Sequence, residues 1–90
     1  MSQIVSITLQ TIDDARPVIN AIRADNPGIS EMTMPGAIKF NSTNPLIIKR
    51  DTVSENLGRD WDPQEIHLVL ISMAGNLDED DDRIELSWTR

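Results

Sequence analysis

The chain has 90 residues, 39% of them apolar, with a net charge of −7, one histidine and no cysteine or tyrosine. That length holds one domain, residues 1–90, with a single core and little room for an enclosed active-site cavity. The lack of cysteine excludes a disulfide framework, a thiolate zinc site, an iron–sulfur cluster and a thiol nucleophile. With no signal leader and no run near the ~18 apolar residues of a membrane span, the expected location is the cytoplasm.

In chain order, residues 4–9 (IVSITL) place Val5, Ile7 and Leu9 on one side and predict a first strand. The next segment is a helix, with Asp13 as its cap, Pro17 in its first turn and an apolar stripe of Ala15, Val18, Ile19 and Ile22. Asn26, Pro27 and Gly28 end it. Pro35–Gly36 suits the centre of a type II turn, so residues 29–34 and 37–41 form a hairpin. LIIKR is a short strand, and DTVSENLG a short helix capped by Asp51, closed by Gly58 and packed through Val53 and Leu57.

After a polar turn (RDWDPQ), residues 65–73 are apolar on both faces and predict a central strand. The closing strand, 83–88, turns Ile84, Leu86 and Trp88 inward and Arg83, Glu85 and Ser87 outward. The expected fold is α+β, two β-α-β-β halves forming a small antiparallel-sheet-and-helix domain. Two helices, one very short, do not cover both faces of so wide a sheet. Either the sheet bends on itself or apolar surface awaits a partner.

Charge is uneven. Asp78, Glu79, Asp80, Asp81 and Asp82 account for five of the seven net charges, and the basic residues are scattered. With no basic stripe interleaved with aromatics, direct nucleic-acid binding is not expected. Asp78, Asp80 and Asp82 imitate the first ligands of a calcium loop, but Arg83 stands where that loop needs glycine and Thr89 where it needs glutamate. A solvated turn, or an electrostatic contact for a basic partner, accounts better for the acids. His67 has no second histidine to share a metal and no nucleophile at a suitable spacing, so it reads as a structural residue donating to a backbone carbonyl. The glycines are too dispersed for a phosphate loop. No catalytic residue, metal site or cofactor is expected.

Two features suit binding. Ser72, Met73, Ala74, Gly75, Asn76 and Leu77 form a small-residue junction between the most apolar segment and the acids. Such residues admit another backbone closely, or merely permit a bulge or turn. Met32 and Met34 flank the Pro35–Gly36 turn on one face, as adaptable contacts or as core filler.

The stretches ARPVINAIRADNPG and EIHLVLISMAGNLDEDDDRIELSW closely resemble the effector, or regulatory, component of the bacterial multicomponent phenol hydroxylases, from about Ala15 to Trp88. The effector of soluble methane monooxygenase is in the same family, and its long N-terminal extension has no counterpart here. The resemblance implies a cofactor-free, non-catalytic protein that docks on a separate di-iron oxygenase, itself supplied with electrons from NADH by a reductase. It implies that the effector couples oxygen activation and NADH use to aromatic hydroxylation. It also implies that residues 72–76 face the oxygenase. The competing class is a small-molecule sensor of α+β type. A sensor would bind phenols by itself, whereas an effector acts only with the oxygenase.

Overall fold

A computed structural model describes residues 4–88. The described residues form strands β1 (Val5–Gln10), β2 (Ser30–Met34), β3 (Ala37–Ser42), β4 (Leu46–Lys49), β5 (Leu70–Ala74), β6 (Asn76–Glu79) and β7 (Arg83–Ser87). Helices α1 (Arg16–Asp25) and α2 (Arg50–Leu57) follow β1 and β4, and two 3-10 turns span Asp13–Ala15 and Pro63–Leu68. The strands make two antiparallel sheets, ordered β2-β3-β1-β5 and β4-β7-β6.

The α+β class is as expected, and each half of the chain opens with β-α-β-β. The second half carries one strand more, because residues 76–79 are a strand of their own. Nor do the halves become separate sheets: β5 belongs to the second half in sequence but pairs with β1.

The core is aliphatic, with Phe40 and Trp61 the aromatics inside it. Val5, Ile7, Leu9, Ile38 and Phe40 from the larger sheet meet Leu46, Ile48, Ile84 and Leu86 from the smaller one. The stripe of α1 (Val18, Ile19, Ala21, Ile22) and Val53 of α2 fill the space between them. The sheet shortage is thus met by splitting and facing the sheets, with α1 as the filler.

Four local expectations change. Neither Asp13 nor Asp51 caps a helix. The chain enters α1 through the 3-10 turn, whose Ala15 N–H donates to Ile12 O (3.0 Å), and Pro17 brings no N–H to be satisfied. β4 runs directly into α2, so Lys49 occupies the cap position and Asp51 lies inside the first turn. The hairpin turn and the Gly58 stop are as expected, with Gly36 at φ 74° and Gly58 at φ 82°.

The third change is larger. Residues 65–68 are not strand. The Asp62 side chain accepts from Gln64 N–H (3.0 Å), the Glu65 carboxylate accepts from Asp62 N–H (3.0 Å), and Pro63 sits in the first turn. This capping box starts a helical turn that overrides the apolar alternation. Ile66 and Val69 are buried, whereas Leu68 points outward. The strand begins only at Leu70 and is an edge, not the centre. Trp88 likewise leaves the sheet: β7 ends at Ser87, and the indole Nε1 donates to Ile4 O (2.9 Å) from an exposed position.

One buried polar side chain joins the layers. The Asn26 amide Nδ2 donates to Ile22 O (2.9 Å) and Ile47 O (2.8 Å), and its Oδ1 accepts from Ile47 N–H (2.9 Å). It ends α1 and pairs with the free side of β4 as a strand would. Asn26→Asp keeps the shape but replaces the donor facing two carbonyls with an acceptor. The expected cost is about 2–4 kcal/mol in urea unfolding. A loss under ~1 kcal/mol would mean that the joint is held elsewhere.

Candidate functional site

Among the described residues, two open sheets present four edge strands: β2, β5, β4 and β6. Edges carry unpaired backbone groups and are normally blunted by charge, proline or cover. Three of the four are. On β4, Asn26 occupies Ile47. On β2, Glu31 accepts from Arg23 Nε and Nη2, both at 3.0 Å. β6 carries Asp78 and Glu79, and Glu79 contacts His67.

β5 has the sequence LISMA, without charge or proline. The register with β1 shifts from Thr8↔Ser72 to Leu9↔Leu70, so Ile71 bulges out of the ladder. Ile71 is 51% exposed and Met73 42%, and Leu68, at the end of the preceding turn, is 75% exposed. These three apolar side chains project from one six-residue stretch, 68–73, beside an undefended backbone edge. Such a surface is suited to a partner.

The register also places the sequence candidates. Thr8 pairs with Lys39 and Ser72, and Lys39 pairs with Met32. Ser6 pairs with Asn41 and Ala74. Ser72, Ala74, Met32 and Met34 therefore share the face of the larger sheet turned away from the core, with Met32 at the far edge, three strand spacings or ~14 Å away. Met73 pairs with Ile7 and lies on the opposite, core-side face.

Gly75 is the corner where the chain leaves one sheet for the other. Its φ is +132°, and a Cβ there would lie 3.2 Å from both Leu86 Cδ1 and Val5 Cγ1. The close approach that a small residue permits at this corner is therefore internal. Asn76 is exposed and pairs with Ser87; Leu77 pairs with Leu86 and packs on the core. Sequence reasoning missed Leu68 and Ile71, which it placed on the faces of a central strand. The Asp62-Pro63-Gln64-Glu65 start signal was the clue that would have released them.

The acids are not one loop. Asp78 and Glu79 lie in β6, and residues 80–82 form the turn. Asp80 Oδ1 accepts from the N–H groups of Asp82 (2.8 Å) and Arg83 (2.9 Å). Arg50 braces the turn from behind, donating through its N–H to Asp82 O (2.8 Å) and through Nη1 to Asp81 O (3.3 Å). Among the described residues, no three His, Cys, Asp or Glu converge to hold a metal ion. Thr89, the last position of the imitated calcium loop, lies outside the described residues. His67 is exposed, and its partner is the Glu79 carboxylate, not a backbone carbonyl. The correction has the same cause as the strand error: the 3-10 turn swings His67 out toward β6.

The backbone N–H groups of Asp82 and Arg83 hold the Asp80 carboxyl below its ordinary value of 3.8. A depressed value adds stability above the unfolded pKa, and that stability is lost as pH falls through the folded one. Asp80→Ala should therefore lower the melting temperature at pH 6–7, and the gap to the parent should close as pH falls below 3.8. A gap independent of pH would show that the ionised carboxylate does not hold the turn.

A family model for the MmoB/DmpM family matches residues 3–87. The stimulatory component DmpM of phenol 2-monooxygenase from Pseudomonas sp. (strain CF600) is 47% identical over 88 residues, 98% of each chain. A chain in a solved structure of a phenol hydroxylase–regulatory protein complex is 44% identical with a TM-score of 0.91, covering 97% of this chain and all of the other. A chain of a second such structure is 42% identical with a TM-score of 0.86, covering 96% of this chain and all of the other.

Proposed function

This chain belongs to the MmoB/DmpM family, and we propose that it is the non-catalytic effector of a multicomponent phenol hydroxylase. In this reading the whole chain acts as one cytoplasmic effector domain. It binds the di-iron oxygenase component and couples oxygen activation and NADH use to aromatic hydroxylation. The carrying observation is near full-length similarity, at 44% identity and TM-score 0.91, to a chain from a phenol hydroxylase–regulatory protein complex. No helix among the described residues is long and apolar enough to cross a membrane.

The undefended β5 edge is the proposed docking surface. Leu68, Ile71 and Met73 form its apolar centre, and Ser72, Ala74 and Asn76 its small and polar surround. Met32 and Met34 extend the contact along the outer sheet face that Ser72 and Ala74 share, the face opposite Met73. A standard interface takes ~800 Å² per partner, roughly a seventh of the 5573 Å² available. An effector shifts its partner only through differential affinity for two states of that partner. A coupling of about 1–3 kcal/mol is the usual scale.

Ile71→Lys combined with Met73→Lys places two charges on the edge where both side chains are already half exposed, so the fold should persist. Losing a buried apolar anchor commonly costs ~2 kcal/mol. The expected result is at least a ~30-fold weaker half-saturation of oxygenase stimulation, with an unchanged melting temperature. Stimulation equal to the parent's would remove β5 from the interface.

The acidic turn makes a separate prediction. Asp80 is committed to its own turn, so Asp81 and Asp82 are the charges free to steer an encounter. Asp81→Asn with Asp82→Asn should slow association with the oxygenase in stopped-flow at low salt and leave dissociation nearly unchanged. Raising ionic strength to where the Debye length is ~8 Å should erase most of the difference. Equal rates at low salt would leave the turn a solubility device only.

A further inference from the structure

We infer that the cavity between α1, α2 and the Pro63–Leu68 turn binds a neutral monocyclic phenol. The cavity holds about 220 Å³. No residue of β5 lines it, and of the docking residues only Leu68 does. Its walls are Val18, Val53, Leu57 and the Trp61 ring, and Leu68 stands at the mouth, 75% exposed. An apolar cavity of about 150 Å³ is enough for benzene, and drug-sized ligands need about 300–1,000 Å³. The volume therefore selects a single substituted ring.

The rim selects the substituent. Arg59 and Glu65 line the cavity and form a forked pair, with Arg59 Nη2 to Glu65 Oε1 at 2.9 Å and Nη1 to Oε2 at 3.2 Å. Glu65 Oε2 also accepts from Asp62 N–H at 3.0 Å. A carboxylate offers about four acceptor positions. Three are taken, and the remaining one, on Oε1, suits the O–H of a phenol. Asp14 adds a second acid at the rim, so an aromatic anion is repelled. Arg59 and the Asp62 N–H hold the Glu65 carboxyl below its ordinary value, keeping it an acceptor at neutral pH.

Phenol as the ligand rests on the effector reading; the cavity's preference for a small neutral aromatic donor does not. Such a site gives the chain a property that its sequence assigns only to a sensor. Because Leu68 belongs to both mouth and docking edge, occupancy and docking would be linked reciprocally.

The test is an NMR titration of the isolated full chain with phenol and, separately, with benzoate. Saturable shifts at the methyls of Val18, Val53, Leu57 and Leu68 are expected, with a Kd of about 0.1–5 mM and benzoate at least ~10-fold weaker. Leu57→Phe fills the cavity and should weaken phenol by ~10-fold or more, while maximal stimulation of the oxygenase persists. The inference is overturned by non-saturating shifts to about 20 mM, by shifts centred on Ile71 and Met73, or by benzoate binding as tightly as phenol. A folded Leu57→Phe chain that binds phenol like the parent also overturns it. Should that variant not fold, the shift map of the unsubstituted chain decides. Docking is measured by stimulation and the cavity without the oxygenase, so the two readings fail separately.

Discussion

The three hydrogen bonds of the Asn26 carboxamide hold the layers of this protein in place. A chain this small has two narrow sheets, and each buries its apolar face only if α1 lies correctly between them. α1 packs on both through Val18, Ile19, Ala21 and Ile22, but apolar packing alone permits sliding. Asn26 removes that freedom by bonding the last turn of α1 to the backbone of β4. The cost of an unpaired amide in a buried site exceeds that of an unpaired surface group, so the joint admits one alignment. Position, more than affinity, is what the carboxamide contributes.

That alignment decides which strand edges remain open. Once β4 is closed by Asn26, β2 screened by Glu31 and Arg23, and β6 charged by Asp78 and Glu79, β5 alone among the described edges is apolar and uncovered. An exposed apolar edge is a hazard to a free protein and an asset to one that spends its working life docked. The bulge at Ile71 fits both conditions of the proposed effector role. It interrupts the regular ladder that a second β5 would need, while pushing a large apolar side chain outward.

The acids near β5 divide by task. Asp78 and Glu79 defend β6, Asp80 builds the turn, and Asp81 and Asp82 carry charge toward solvent. Arg50 fixes the turn from α2, so the charged tip is held against the body of the protein. A like-charge run that reads as one solvated feature thus contains three physically different uses of the same side-chain type.

Much of the fold was legible in the sequence because local rules agreed with the tertiary outcome. The alternation of Val5, Ile7 and Leu9, the stripe of α1, the Pro35–Gly36 turn and the Gly58 stop all depend on neighbours within a few residues, and all stand where the pattern puts them. Residues 65–68 failed because two local signals competed. Apolar alternation spoke for strand and the Asp62–Glu65 capping box for a helical turn, and the box won by satisfying backbone groups directly. The functional class was legible through a family resemblance over nearly the whole chain. The candidate edge was not, because exposure belongs to the assembled sheet order: Ile71 and Val69 look alike in sequence, yet one is 51% exposed and the other 3%. Wherever one local preference stood unopposed, the residue pattern was enough to set which segments are strand or helix. That β5 is an edge, that Gly75 serves an internal corner and that Asn26 reaches β4 follow from packing alone, because each depends on residues far apart in the chain meeting in one arrangement.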